Sequence, residues 1–302
     1  MKTWVPSESV AAALSDLPGI ECAVYNSTTP MPEGVEEVEV WVPPLVTVPD
    51  VPGTLARMTS LRLVQTVTAG VEPYRPHMPE GAVLCNARGV HDAGTAEWAV
   101  GAMIAVLREF PGFVDAQRRG EWTYHHTDVL ADSRVLIVGY GSIGSALERR
   151  LEGFEVEVVR VARRARDGVH AMDELPALLP DADVVVLLVP ATPDTAGMVD
   201  AAFLARMKDG AVLVNAARGT IVDTDALVAE LKTGRLRAAL DVTAPEPLPE
   251  GHPLWSAPNV LITPHIAGST PASERRTLRL IRAQLERYLA GEELVNVITD
   301  AY

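Results

Sequence analysis

Residues 134–144 read RVLIVGYGSIG, an apolar and largely β-branched run that passes straight into Gly139-Tyr140-Gly141-Ser142-Ile143-Gly144. The segment from Ile143 to Glu152 then takes a helical pattern, so the glycines fall where a strand turns into a helix. In that setting each one has its own reason. Gly139 permits the tight turn, Gly141 lets a pyrophosphate approach the backbone, and Gly144 allows close helix packing, while Ser142 and Ile143 offer N–H groups at the helix start. A glycine-rich turn alone would be weak evidence for a dinucleotide; the chain on either side makes it strong.

Downstream the apolar runs continue as VEVVRV, DVVVLLV, AVLVN, RAALDV and NVLIT. Strands without polar alternation belong to sheets covered by helices on both faces. Helical segments separate them, among them Thr224 to Lys232, with Asp223 as N-cap and Gly234 as stop. Counting from residue 134, six such units make a complete doubly wound nucleotide domain. Upstream, Thr95 to Arg108 (TAEWAVGAMIAVLR) is apolar around most of its circumference and predicts a long buried helix bridging two domains. Before it, the β-rich runs Glu21 to Tyr25, Val38 to Val42, Leu63 to Val67 and Ala82 to Asn86 predict a second parallel sheet. The Pro-rich stretch Pro43 to Pro52 reads as a loop, and Ser273 to Leu289 as an amphipathic helix packing back on the first domain. The expectation is an α/β protein of two domains. One is residues 93–272; the smaller is residues 1–92, completed by residues 273–302.

Composition narrows the function. With 48% hydrophobic and 22% charged residues in 302, the chain has material for two ordinary cores. Its formal charge of −14 disfavours nucleic acid and anionic membranes. Met1 to Val10 lacks the pattern of a signal peptide, and no apolar run is long enough to span a bilayer. Cys22 and Cys85 cannot make a disulfide framework and read as small apolar residues, so a cytoplasmic protein is expected.

The nucleotide can be specified further. An acid roughly 20 residues beyond the glycines would bind a ribose 2′-hydroxyl. Here that place reads Val161-Ala162-Arg163-Arg164-Ala165-Arg166, and Glu155 and Glu157 stand too early. Guanidinium forks at Arg163 and Arg164 suit a 2′-phosphate, so NADP(H) is expected over NAD(H). The alternative is an ordinary solvated surface run.

Three later stretches carry reactive side chains just past strand ends: Asn215-Ala216-Ala217-Arg218-Gly219, Asp241-Val242-Thr243-Ala244-Pro245-Glu246-Pro247 and Thr263-Pro264-His265-Ile266-Ala267-Gly268. Open α/β sheets bind ligands at that edge. Singly, Arg218 reads as a surface ion-pair partner, Glu246 as a loop residue and His265 as a capping or core histidine. Together, three such residues after three successive strands are hard to explain that way.

These stretches, with GYGSIG, NAARGTIVDTDAL, LDVTAPEPLP and HPLWSAPNVLITPHIAGST, resemble the D-isomer-specific 2-hydroxyacid dehydrogenase family over essentially the whole chain. The resemblance implies a Rossmann-type doubly wound dinucleotide-binding domain and a smaller flavodoxin-like substrate domain. It implies catalytic Arg218, Glu246 and His265, and it places Asp241 and Gly268 on the cofactor. The chemistry agrees with those residue types. Reducing a 2-oxo acid needs a proton donor at the carbonyl oxygen, which a histidine supplies near neutral pH. Glu246 would orient the ring and stabilise the imidazolium, and Arg218 would hold the substrate carboxylate.

By the same resemblance Ala69 and Gly70, in the Gln65 to Val71 turn, hold the substrate carboxylate through backbone N–H groups. The loop Val42-Pro43-Pro44-Leu45-Val46 faces the rest of the substrate and is apolar, without the arginines that phosphoglycerate dehydrogenases use. A phosphorylated substrate is disfavoured, and the lack of a further C-terminal regulatory domain adds to that expectation. Glyoxylate, hydroxypyruvate and 2-oxo acids with apolar tails stay open. The family also implies a homodimer through the helix near Thr95 and the arm after it, with Trp98, Phe110, Phe113 and Trp122 as contacts or, alternatively, as intramolecular core. His125-His126 with Asp128, and His91-Asp92, lack metal-ligand spacing, so no metal is expected. Two departures from the family stand out: residues 130–134 (LADSR) lack the usual glycine, and Ala162 replaces the acid. Competing readings are a dinucleotide-sensing protein, opposed by the intact Arg/Glu/His set, and a formate dehydrogenase, opposed by glutamate rather than glutamine at 246.

Overall fold

A computed structural model of the chain describes residues 1–26, 28–45 and 48–299. Two compact units emerge, Met1–His91 together with the segment from Pro271 onward, and Asp92–Thr270.

The first unit holds β1 (Lys2–Val5), α1 (Glu8–Leu14), β2 (Glu21–Val24), β3 (Val38–Trp41), α2 (Val51–Arg57), β4 (Leu63–Gln65) and β5 (Val83–Cys85). Its five strands are parallel in the order β2-β1-β3-β4-β5. Strand β1 was not expected from the sequence, yet it lies inside the sheet. KTWV is too short and too mixed to read as a buried strand; what makes it one is that Trp4 and Val5 are wholly buried, on opposite faces. The other strands stop one or two residues short of the expected runs, β4 at Gln65 instead of Val67.

The second unit opens with α3 (Asp92–Leu107) and α4 (Phe110–Arg119). It continues through β6 (Arg134–Val138), α5 (Ser142–Leu151), β7 (Glu157–Ala162), β8 (His170–Ala171), α6 (Leu175–Leu178), β9 (Val184–Leu187), α7 (Ala201–Arg206), β10 (Val212–Asn215), α8 (Thr224–Thr233), β11 (Arg237–Leu240) and β12 (Val260–Ile262). Its parallel sheet runs β12-β11-β10-β9-β6-β7-β8. Six strands match the apolar runs, and β8 is a two-residue addition at the edge. Burial on both faces explains their composition. Val135 and Ile137 of β6 pack with Ala99 and Met103 of α3 and Leu147 of α5, while Leu136 and Val138 join the opposite core with Leu204, Leu213 and Leu227. Helix α8 is capped as expected: Asp223 accepts from the Ala226 N–H at 3.0 Å, and Gly234 ends it at φ +75°.

Helix α9 (Pro271–Ala290) returns to the first unit. Ile281 and Leu285 enter the core with Val10 and Leu14 of α1, and Arg282 donates to the Ala13 carbonyl at 2.8 Å and the Asp16 carboxylate at 2.6 Å. Cys85 is buried and Cys22 half-buried, both as free thiols. Among the described residues no helix is long and apolar enough to cross a membrane.

The strand order of the second unit reverses direction at β6, which lies between β7 and β9. A doubly wound sheet opens a crevice there, at the carboxyl ends of its strands.

Candidate active site

The glycine turn lies at that crevice. Gly139 has φ +105°, and a Cβ on it would lie 2.5 Å from the Leu188 carbonyl carbon just past β9, so only glycine fits. Gly144 is similarly closed, with the Gly139 oxygen 2.9 Å from its Cβ position, whereas Gly141 faces open space. The N–H groups of Gly139 and Tyr140 both donate to the Val161 carbonyl, at 2.9 and 2.8 Å. This leaves the first turn of α5, with Ser142 and Ile143, as the donor end. Two glycines that lock the turn and a third with a vacant approach are what a pyrophosphate requires, so the residues fit a dinucleotide. The Ser142 hydroxyl donates to Asp92 at 3.3 Å.

Arg163 and Arg164 follow β7 immediately and are exposed, as is Arg166. Arg166, which sequence reasoning passed over, donates through Nη2 to the Tyr140 carbonyl at 2.6 Å and lies 5.6 Å from the Tyr140 ring centre. The Tyr140 hydroxyl donates to Glu148, which also accepts from Arg160. That guanidinium holds the Glu148 carboxyl below the ordinary carboxylate value, against a smaller opposing effect of burial.

The three reactive loops form one rim. Arg218 follows β10, where Asn215 donates to its carbonyl at 3.0 Å, and its own Nη1 donates to the Ala217 carbonyl at 2.7 Å. Next to it Gly219 packs so tightly on the loop after β11 that a Cβ would lie 1.9 Å from the Thr243 oxygen. Thr224 ties the same loop down, donating to the Ala244 carbonyl at 2.8 Å. From this loop Glu246 reaches the loop after β12: its Oε1 is 2.6 Å from Nδ1 of His265. A carboxylate only accepts, so Nδ1 carries the hydrogen and Nε2 is the ring nitrogen that Glu246 does not use. Both side chains are partly exposed.

His265 has φ +53°, a conformation few non-glycine residues hold without support. The support is Asp241. Its backbone carbonyl accepts from the His265 N–H at 2.7 Å. Its buried carboxylate accepts from the Thr263 hydroxyl at 2.6 Å and from the Ile266 and Ala267 N–H groups, each at 2.9 Å. Expected on the cofactor, Asp241 is turned into the loop, with three of about four acceptor positions in use. Only the fold could reveal this, because the partners lie 22 to 26 residues away. Gly268, half-buried, follows in the same loop.

Residues 100–267 match the family described as D-isomer specific 2-hydroxyacid dehydrogenase, NAD binding domain. The chain belongs to that family. Glyoxylate reductase/hydroxypyruvate reductase of Mus musculus is 32% identical across 96% of this chain and 94% of its own length. A D-isomer specific 2-hydroxyacid dehydrogenase from Xanthobacter autotrophicus, solved with NADPH and MES, superposes with TM-score 0.84 at 30% identity, covering 99% and 98% of the two chains. NADPH-dependent glyoxylate/hydroxypyruvate reductase from Sinorhizobium meliloti, solved with NADP and malonate, gives 0.83 at 26% over 99% and 96%. This 2-hydroxyacid dehydrogenase is an NAD(P)-dependent oxidoreductase with a Rossmann nucleotide domain.

In the first unit of this dehydrogenase, the Ala69 carbonyl accepts from Asn86 at 2.8 Å and the Gly70 carbonyl from Thr68 at 2.7 Å. Trans peptides turn the N–H groups of Gly70 and Val71 the other way. Of the 42–46 loop, Leu45 is exposed and Val46 lies outside the described residues. His91 bonds the Val67 carbonyl at 2.9 Å. Among the described residues no three His, Cys, Asp or Glu side chains cluster for a metal.

The arm after α3 contrasts with the rim. Trp98 packs against the core, and Phe113 stacks on His125 with centroids 5.1 Å apart. Phe110 is half exposed, and Trp122 and Tyr124 are 95% and 81% exposed. A recess of about 510 Å³ lies here, lined by Phe113, Ala116, Trp122 and His125, away from the reactive loops.

Proposed function

We propose that the protein interconverts small, unphosphorylated 2-oxo acids and D-2-hydroxy acids with NADP(H). The observation that carries this reading is the His265–Glu246 hydrogen bond beside the Arg218 loop, at the carboxyl edge of the nucleotide sheet. In reduction, His265 Nε2 gives its proton to the carbonyl oxygen while C2 gains a hydride, and the neutral ring is reprotonated from water. Oxidation runs the same path backwards, with His265 as base. Glu246 keeps the tautomer and steadies the imidazolium; Arg218 binds the carboxylate and polarises the carbonyl. A dinucleotide held at its pyrophosphate by the turn of Gly139, Gly141, Ser142, Ile143 and Gly144, with Arg163 and Arg164 for a 2′-phosphate, would supply the hydride through its nicotinamide. Asp241 has one acceptor position left for the carboxamide, next to Gly268.

The first unit, with Ala69 and Gly70, takes the substrate carboxylate in this reading. The apolar 42–46 loop favours unphosphorylated substrates, in keeping with the names of the glyoxylate and hydroxypyruvate reductases. The exposed aromatics of the arm fit a second copy of the chain, making a homodimer, and two free thiols suit the cytoplasm.

The test is the initial rate of NADPH and NADH oxidation with glyoxylate, hydroxypyruvate, pyruvate and two bulkier 2-oxo acids. Turnover that favours NADPH supports the whole reading. A preference for NADH removes the 2′-phosphate assignment and leaves the catalytic one. Cofactor binding without turnover on any of them overturns the enzyme assignment.

A further inference from the structure

We propose that Arg166 is a positioning residue for cofactor choice: clamped on Tyr140, it holds the loop of Arg163 and Arg164 against the glycine turn. The inference rests on the reading that these arginines meet a 2′-phosphate. Exposed arginines on a free loop would have to be ordered each time an anion bound. This loop is already ordered. The Val169 N–H donates to the Arg166 carbonyl at 2.8 Å and the Arg166 N–H returns to Val169 at 3.1 Å, closing a turn over Asp167 and Gly168, where Gly168 has φ +67°. The Arg166 guanidinium then spans from that turn to the Tyr140 carbonyl and ring.

Tyr140 is itself immobilised. Its N–H is held by Val161, its hydroxyl by Glu148, and Arg160 lies 5.7 Å from its ring centre. The two guanidiniums around the ring differ in charge balance. Arg160 is neutralised by Glu148, whereas Arg166 has no carboxylate partner among the described residues. In a chain of net charge −14, a cation without a carboxylate partner, tied to the phosphate turn, favours an anion there. The clamp joins the two elements an NADP must touch at once, the pyrophosphate turn and the end of β7.

Calorimetric titration with NADPH, NADH, 2′,5′-ADP and 5′-AMP tests this on the wild type, Arg166→Met and Arg166→Lys. Arg166→Met is expected to weaken NADPH and 2′,5′-ADP about tenfold, the factor that ordering a pair of long side chains represents, and NADH and 5′-AMP less than about twofold. Arg166→Lys keeps the charge but not the planar fork that reaches carbonyl and ring together, so it falls between. Equal weakening of ligands with and without the 2′-phosphate, or none, overturns the inference, as does a Lys variant that binds like the wild type. A wild type that prefers NADH overturns the cofactor reading instead, and the 2′,5′-ADP titration still reads the clamp.

Discussion

Three histidine–glutamate pairs sit in the nucleotide unit among the described residues, and only one belongs to the rim. Of the other two, His170–Glu174 at 2.9 Å closes within four residues at β8, and His125–Glu109 lies in the arm. His265 Nδ1 lies 2.6 Å from Glu246, and His125 Nε2 lies 2.9 Å from Glu109. All four side chains are partly exposed. The difference is in what holds them. His125 is fixed locally, by Glu109, by the Thr123 carbonyl at 3.0 Å and by stacking on Phe113 within the same arm. His265 and Glu246 come from two different strand ends, and the backbone of His265 is kept left-handed by the buried Asp241. A hydrogen-bonded imidazole is therefore no site in itself; what sets His265 apart is its place at the carboxyl edge of the sheet, on a loop that meets the one from β11.

The largest effect should come from removing the rim imidazole. His265→Ala should lower kcat by about a thousandfold, as loss of a general acid does, with cofactor affinity little changed. Steady-state kinetics beside a fluorescence titration of NADPH would show it, and residual turnover near the wild-type rate would remove His265 from the chemistry. Next is its support. Asp241→Ala leaves two backbone N–H groups and a hydroxyl without their acceptor, which should cost about 2–4 kcal/mol in urea unfolding and lower kcat as well. Unchanged stability would mean the loop does not need the carboxylate.

Glu246→Gln keeps an acceptor for Nδ1 but loses the charge. A fall in kcat of about ten- to a hundredfold is expected, with the protein still folded. The smallest effect belongs to the arm. His125→Ala should leave turnover within about twofold, since exposed pairs contribute little. The hydrogen bond to Glu109, then that to Thr123, raises the His125 pKa above its ordinary value. Its contribution to folding is complete below the unfolded-state pKa and is lost as pH rises through the raised folded one. Imidazole NMR titration would locate that step; a pKa at or below the ordinary value would contradict the pair.

Much of the rim was legible in the residues, because its chemistry is local in sequence. A glycine turn after an apolar strand, and Arg218, Glu246 and His265 each a few residues past a strand end, need no knowledge of neighbours. The missing glycine before β6 shows the limit of such reading. Asp132 stands there at φ +61°, a conformation that Asp tolerates better than most residues, so the turn survives the replacement. Strand β1 escaped notice because its burial comes from β2 and β3, not from its own pattern.

The sequence by itself determined the nucleotide unit, its glycine turn and the types of residue on the rim, since backbone freedom, hydrophobic period and side-chain chemistry are properties of short segments. Tertiary structure alone decided that Asp241 braces the His265 loop, that Arg166 closes on Tyr140, and that the His265–Glu246 pair is on the rim while His125–Glu109 is in the arm. Apart from the arm pair, which closes across one helix, each of these joins residues 19 to 26 positions apart, and a hydrogen bond of that span is specified only once the strands have brought its ends together.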